Sequence, residues 1–436
     1  MTGTTSLAER PLPPRRHGLP YIGGTFAYLR DPLRMMREQY DDFGPVSEMD
    51  FVGRRWTVLL GPDACGEALR NADKAFANAP GWGALVGPFF DRGLMLLDFE
   101  EHHRHRRLLQ EAFTRDRLAG YAAALGPAVA EGVARWRPQP GFRAYPALKE
   151  LTLDLATQVF MGGPHLASPD ELDRVNAAFV DCVQAATALV RLPLPGTRWG
   201  RGHRGRRVLE DFLGRHVAGK RAGAGDDLFS VLCRLSAGGE PFTDEAGVNT
   251  LLFLRMAAHD TSTITVSTMM QQLGQHPEWQ QRLREQATCL PEAPNLDQLD
   301  QLTDLDLVMK ECLRLLPPVP VLARQAVKDT EVLGHRVPAG RLTAVMVHLG
   351  HHMPELWDDP ERFDPERPKR AHLGWGNGPH TCVGIHLAKL EMRTLLRAMV
   401  PRVEAIEAGQ PPRPGHNVQQ GIHPITAKIR AACPPR

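Results

Sequence analysis

Trp375-Gly376-Asn377-Gly378-Pro379-His380-Thr381-Cys382-Val383-Gly384 ends a glycine-rich loop on a single cysteine, just before an apolar, helix-like run from Ile385 to Met399. This arrangement suits a sulfur that must stay ionised. A thiolate is favoured where backbone N–H groups point at it and a helix N-terminus lies behind it. Gly376, Gly378 and Gly384 let the backbone turn tightly around the sulfur with no Cβ in the way. Such a sulfur is equipped to bind iron. Taken alone, Cys382 also fits a buried cysteine in a glycine-rich turn, and the further motifs weigh against that.

The loop resembles the haem-binding signature of the cytochrome P450 family, Phe-Gly-x-Gly-x-(Arg or His)-x-Cys-x-Gly. Gly376, Gly378, His380, Cys382 and Gly384 match, and Trp375 stands where the signature has Phe. The resemblance implies that Cys382 is the axial ligand of a haem b, where thiolate ligation pushes electron density onto iron and favours O–O cleavage. Trp375 keeps a flat apolar lid on the sulfur side, and its indole N–H is a candidate donor to the sulfur.

Ala257-Ala258-His259-Asp260-Thr261-Ser262 lies mid-way along a long apolar helix pattern. A polar cluster there is expected to be buried, with a local opening of the backbone ladder and a trapped water to satisfy it. A hydroxyl can orient a water and relay a proton, and an adjacent carboxylate can connect it to solvent. The cluster resembles the family's (Ala/Gly)-Gly-x-(Asp/Glu)-Thr-(Thr/Ser) element, which makes Asp260 the acid and Thr261 the alcohol of oxygen activation. Ala258 replaces the usual Gly and is expected to narrow the groove over the haem. The competing reading is a core helix whose Ser and Thr side chains bond back to their own carbonyls.

Glu311 and Arg314 share a helix face, and Leu315-Leu316-Pro317-Pro318 ends that helix. Alone, the pair is an ordinary ion pair. The resemblance makes it the family's Glu-x-x-Arg element, with Arg362 as third member of a network supporting the cysteine loop. Haem carboxylates need cations. The candidates are His102 and Arg106, one turn apart and similar to the family's His-x-x-x-Arg helix, with Arg324 and His380. Arg suits the task because its fork meets a carboxylate bidentately. His103 and His105 are read as a solvated face or an adventitious metal site.

These residues need an extensive scaffold. Residues 1–24, rich in Pro and Gly from position 11, read as an extended lead-in, and 25–436 as one domain, β-rich near 25–70 and 320–350 and helical elsewhere. Val46 to Leu60 reads as a hairpin turning at Gly53. Asn78 to Leu97 lacks periodicity and reads as a long loop. Helices are expected over 105–136, 146–160, 170–235 with a break at 192–197, from an N-cap at Thr243 to about Gly274, and over 305–316. Strands are expected over 323–333 and 336–347, with a last hairpin over 417–429. The fold class is mainly α with a minor β region. The resemblance implies the cytochrome P450 fold, with a long helix over the haem.

The chain has 436 residues, a formal net charge of +2 and 42% hydrophobic residues. Near-neutral charge without a long basic run gives no reason to invoke nucleic acid. Seven cysteines with no CxxC pair fit free thiols in a reducing compartment. Met1 to Arg10 holds no apolar segment, so no signal peptide or membrane anchor is expected. A soluble, cytoplasmic, monomeric bacterial enzyme served by a separate ferredoxin or flavodoxin is the expectation.

By resemblance, the substrate pocket is lined by Phe89, Phe90, Met95, Phe253, Met256, Ala257, Val319, Val321, Leu322 and Ile422. Helical spacing turns Arg255 away from that face, as scaffold. The apolar residues imply an apolar substrate, with a lean to terpenoids or steroids. The function expected is a monooxygenase inserting one atom of O2 into a C–H bond. The alternatives are a peroxide-driven peroxygenase and a non-catalytic haem protein. A dinucleotide-binding dehydrogenase is excluded, because the glycines around Trp375 do not form G-x-G-x-x-G between a strand and a helix.

Overall fold

Val46–Phe51 and Arg54–Leu60 form the expected hairpin, with Val46 opposite Leu59 and Gly53 turning at φ +72°. The computed structural model describes residues 6–18, 23–51, 53–137, 142–188, 191–237, 240–368, 370–407 and 426–429. Two compact units emerge. The first holds residues up to 82 together with 307–382, and the second holds 83–306 and 383–407 with 426–429.

In the first unit, Leu342–Met346 adds in parallel to Arg54–Leu60. Val321–Ala326 pairs antiparallel with it, and Phe76–Ala77 closes the edge. Alternation along these strands feeds two cores. Leu59 and Val345 join Val46, Phe76, Val332 and Val337, while Val58, Leu60, Ala344 and Met346 join Met35, Met36, Trp56 and Leu349. A sheet covered on both faces explains why these strands read as near-continuous apolar runs. The helix Thr303–Leu315 begins just before this unit's second stretch and carries Glu311 and Arg314 within it.

The second unit is helical. Asp244–Gln275 runs unbroken, and the Thr243 side chain accepts from Ala246 N at its start. Ala144–Met161 packs against it, and Arg115–Ala134 packs against Ile385–Met399. Pro169–Ala186 and Arg198–Ala222 pack closely where glycines face alanines. A Cβ at Gly202 would lie 2.3 Å from that of Ala185, and one at Gly205 would lie 2.5 Å from the Ala178 carbonyl oxygen.

Several elements differ from expectation. The 78–97 stretch is the helix Ala79–Phe90 followed by a short turn, Leu94–Leu96, rather than a loop. Its placement is tertiary: Gly81 lies against the Arg324 backbone, where a Cβ would sit 2.6 Å from Cα, and Trp82 packs on a core cluster. The helix expected over 105–136 is two, Phe99–Glu111 and Arg115–Ala134, with Thr114 starting the second. Thr426–Ile429 pairs with Val403–Glu407 and Phe142–Arg143. Residues 417–425 lie outside the described residues.

Candidate active site

The cysteine loop is built from short hydrogen bonds within itself. Cys382 N donates to the Trp375 carbonyl at 2.9 Å, and Gly376 N to Leu373 O at 2.9 Å. Asn377 Oδ1 accepts from Gly378 N at 2.8 Å. Gly376 and Gly378 adopt φ +76° and +68°, where only glycine sits without strain. At Gly378 a Cβ would also meet the Leu69 carbonyl oxygen at 2.2 Å. Gly384 differs: its φ is −93° and a Cβ there meets no atom within 4 Å, so no turn requires this glycine.

Among the described cysteines only Cys382 is half-buried. Cys65, Cys182, Cys233 and Cys312 are buried and Cys289 is exposed. Burial pushes the Cys182 thiol up to about 12 and the Cys233 thiol to about 11, and raises Cys65 and Cys312 as well. Those four sulfurs are held as neutral thiols. Cys433 lies outside the described residues.

His380 is oriented by Asn78, whose amide nitrogen lies 3.0 Å from Nδ1. With the amide donating, Nδ1 accepts and Nε2 carries the ring hydrogen. Asn78 carries no signature in the sequence. Arg324 is buried on Val321–Ala326 and donates to the Ala323 carbonyl at 2.9 Å. On Phe99–Glu111, His102 is buried and Arg106 half-buried. His103 is exposed as expected, but His105 is not on the solvated face. Its Nδ1 bonds the Glu101 carbonyl at 2.9 Å and its ring packs on Phe242.

The acid–alcohol pair lies on a half-buried strip in the middle of the long helix. Met256, Ala257, Asp260 and Thr261 are half-buried, while most of the helix around them is buried. The expected opening of the backbone ladder is absent. The helix is continuous, and Thr261 Oγ1 donates to the Ala257 carbonyl at 2.5 Å, the back-bonding by which a helical threonine satisfies itself. Asp260 keeps 13% of its side chain exposed and receives Lys149 Nζ at 3.3 Å. Ala258 is half-buried and lines a cavity of about 10 Å³ with Thr152, Ala156, His259, Leu387 and Glu391. Beside that cavity Ser262 Oγ donates to Glu391 at 2.8 Å. Burial raises the Glu391 carboxyl to about 7.

The charge network of the first unit departs from expectation in one member. Arg314 meets both carboxylate oxygens of Glu311, at 2.7 and 2.9 Å, and donates to the His351 and Pro360 carbonyls. The second cation on Glu311 is Arg367, 3.4 Å away, and not Arg362. Arg362 supplies only its carbonyl to the network. Its guanidinium turns outward to Asp364 and is 60% exposed.

The expected pocket residues divide. Phe89 and Phe90 are core, their rings packed on Trp199 and Phe179. Phe253 is buried against Gly93. Met95, Met256, Ala257, Val321 and Leu322 stay half-buried, and Val319 is exposed. Ile422 lies outside the described residues. Arg255 is buried scaffold, donating to Thr157 Oγ1 at 3.0 Å and to Asn176.

Comparison with known proteins gives this geometry its class. The sequence pattern described as Cytochrome P450 matches residues 12–429. "Putative cytochrome P450 136" of Mycobacterium tuberculosis is 41% identical over 399 residues, 88% of this chain and 81% of that protein. "Abscisic acid 8'-hydroxylase 2" of Oryza sativa is 28% identical over 89% of this chain and 80% of its own length. "Lanosterol 14-alpha demethylase" of Mus musculus is 26% identical over 88% and 80%. The solved structure "Retinoic acid bound cyanobacterial CYP120A1" superposes with a TM-score of 0.80 at 24% identity, covering 97% of this chain and 100% of that one. The chain belongs to the cytochrome P450 family and has its fold. It is thereby a haem-thiolate monooxygenase, using haem, O2 and a redox partner.

The residues present fit a haem. Cys382 is half-buried, as is the loop over 372–385 throughout. A Cβ built on Gly384 would meet no atom within 4 Å outside its own chain neighbours. His102, Arg106, Arg324 and His380 offer N–H donors to carboxylates. Among the described residues no helix is long and apolar enough to cross a membrane.

Proposed function

We propose that this chain hydroxylates an apolar small molecule of terpenoid or steroid type, with electrons from a ferredoxin or flavodoxin. The observation that carries the reading is the half-open strip of the long helix, where Met256 and Ala257 flank Asp260 and Thr261. An apolar surface beside one acid and one alcohol binds hydrocarbon while delivering protons to a single point.

Cys382 would be the iron ligand, presented by a loop that its own backbone hydrogen bonds hold in shape. By the family resemblance, His102, Arg106, Arg324 and His380 would pair with the carboxylates of a haem b, and Trp375, Gly376 and Gly384 belong to the signature that would hold it. Bound haem supplies the oxygen chemistry of a thiolate-ligated iron. Thr261 keeps lone pairs for accepting from a water while its hydrogen engages Ala257. Asp260, through Lys149, reaches solvent and renews the proton. Met95, half-buried like Met256 and Ala257, adds apolar surface in the same unit, and the exposed Arg104 and Arg107 offer basic charge to an acidic donor. Residues 25–436 act as one catalytic domain, as a monomer in the cytoplasm.

The names of relatives support the substrate lean: an abscisic acid hydroxylase, a lanosterol demethylase and a structure binding retinoic acid. Each of these compounds is of isoprenoid origin. The test is turnover of a terpenoid and steroid panel with reduced ferredoxin. Thr261→Ala is expected to bind substrate, seen as an unchanged spin-state shift, while about tenfold more of the reducing equivalents emerge as peroxide. Fully coupled product formation in Thr261→Ala removes the relay. Peroxide-driven product with none from ferredoxin replaces monooxygenation by peroxygenation.

A further inference from the structure

Thr303–Leu315 ends where its backbone runs out of donors. In a helix each carbonyl takes the amide four residues on. For Leu313 and Arg314 those residues are Pro317 and Pro318, which have no N–H. His351 supplies the missing donor to Arg314. Its Nδ1 lies 3.1 Å from the Arg314 carbonyl, and a carbonyl only accepts, so Nδ1 carries the ring hydrogen. Arg314 answers with its side chain, Nη1 donating to the His351 carbonyl at 2.7 Å. The His351 amide donates to the His348 carbonyl at 3.1 Å. The buried ring thus stands on a backbone that is itself fixed.

The other ring nitrogen meets the start of the cysteine loop. His351 Nε2 accepts from the Leu373 amide at 3.0 Å. Only the neutral tautomer with hydrogen on Nδ1 makes both bonds at once, and burial keeps the ring neutral by holding its pKa well below the ordinary value. The Leu373 carbonyl in turn accepts from Gly376 N at 2.9 Å, and its side chain packs on an apolar cluster. Trp375, between these two residues, gives its carbonyl to Cys382 N. His372 packs edge-on against His351, with ring centroids 5.3 Å apart, and accepts from the next amide, Gly374 N, at 3.0 Å.

We propose that His351 is a positioning residue for this loop: one imidazole carries the frame of the Arg314 backbone to the Leu373 amide and so sets where Cys382 presents its sulfur. The proposal rests on Cys382 being the iron ligand. His351 lies outside the cysteine signature, and its ring meets the backbone of Arg314 rather than the guanidinium that pairs with Glu311. Its neighbours do not share the task. His348 and His352 both give Nε2 to the Leu315 carbonyl, and among the described residues neither ring bonds the loop.

The experiment separates the two ring nitrogens. The amide of a glutamine reaches the place of Nε2, and that of an asparagine the place of Nδ1. His351→Gln keeps an acceptor for Leu373 and gives up Arg314, whereas His351→Asn keeps a donor for Arg314 and gives up Leu373. Both are made in the full chain loaded with haem, beside His348→Gln, which removes a buried ring from the same helix end. Loss of the thiolate Soret band of the reduced carbon-monoxide complex is followed in each. His351→Asn is expected to lose it about tenfold faster than the parent, and the other two to stay within about twofold of the parent rate. Hydrogen exchange at the Leu373 amide reads the bond itself, with protection falling about tenfold in His351→Asn and held in His351→Gln.

A role in stability alone would lower the melting temperature of all three variants and leave the band and the amide indifferent to which nitrogen was replaced. Equal band loss in His351→Asn and His351→Gln, or Leu373 protection unchanged in His351→Asn, overturns the proposal. Should His351→Asn not fold, a folded His351→Gln with a displaced band overturns it and one with the parent band upholds it. A parent band retained in Cys382→Ser would instead overturn the ligand assignment, while exchange at Leu373 still decides whether His351 holds the loop.

Discussion

Arg367 and Glu311 form the contact that ties the Pro-rich 354–368 segment to the helix beneath it. Arg367 Nε lies 3.4 Å from Glu311 Oε1, and its other nitrogens donate to the carbonyls of Asp358, Asp359 and Arg362. The Asp364 amide donates to the same carboxylate oxygen at 3.1 Å. One carboxylate therefore holds a helix arginine, a meander arginine and the meander backbone. Removing one partner of a buried charge network leaves the others desolvated and unpaired. Arg367→Ala is expected to cost about 2–3 kcal/mol and to weaken haem retention, whereas Arg362→Ala, on an exposed pair, stays within about 1 kcal/mol. Urea unfolding of both variants, followed at the Soret band, decides between them. Equal losses would return Arg362 to the network.

The histidines next to that network predict an acid limb. His348 and His352 both bond the Leu315 carbonyl, at 3.0 and 2.9 Å, and His351 accepts from the Leu373 amide. Burial lowers His348 to about 3 and His372 to about 4, and lowers His351 as well. A base whose folded pKa is depressed takes up protons more readily when unfolded. Its contribution is complete above its unfolded pKa near 6.5 and is lost as pH falls towards 3. For His348 this loss is of the order of 4 kcal/mol. Melting temperature is expected to fall steeply between pH 6.5 and 4, and less steeply in His348→Gln. A flat profile over that range would show that these rings are solvated.

Gly205 and Gly214 lie on one helix and predict opposite signs. A Cβ at Gly205 would lie 2.5 Å from the Ala178 carbonyl oxygen, which is backbone and cannot turn aside. At Gly214, on the exposed side, a Cβ meets nothing within 4 Å. Gly214→Ala is expected to stabilise by about 1 kcal/mol through helix propensity alone. Gly205→Ala gains the same propensity but must push its helix away from Pro169–Ala186, for a net loss of about 1–2 kcal/mol. Thermal unfolding of the two single variants measures both signs.

What could be read from the sequence follows the range of the interactions. The cysteine loop, the Glu311–Arg314 pair and the Thr243 cap are made by residues within a few positions of one another, so their spacing carries their geometry. Arg367 was hidden because Arg362 and Arg367 occupy an aperiodic segment. Which of them turns inward depends on carbonyls that no pattern exposes. Asn78 and Lys149 reach His380 and Asp260 across the chain, with no local sign of the partner. The helix Ala79–Phe90 was concealed by its own glycines and prolines, and what holds it is Trp82 in a distant core. The half-open strip around Thr261 was legible as a polar cluster, but the unbroken ladder beneath it was not, because a threonine's choice between water and its own carbonyl is settled by local packing.

Glu391 supplies a pH dependence of the opposite sense to the histidines. Its carboxyl is buried and accepts from the Ser262 hydroxyl at 2.8 Å, and burial raises it to about 7. An acid whose folded pKa is raised binds its proton more tightly in the folded state. Between pH 4.5 and 7 the unfolded chain ionises while the folded one does not, so stability declines as pH rises through that window and stays reduced above it. The size is of the order of 3 kcal/mol for a fully buried group. Glu391→Gln keeps an acceptor for Ser262 and has no proton to lose. It is expected to match the parent near pH 4.5 and to exceed it by about 2–3 kcal/mol at pH 8. Denaturant titrations of both proteins at the two pH values test this. A gap that is the same at both would mean that Glu391 is ionised in the folded protein, with a cation or water in the adjoining cavity to hold it so.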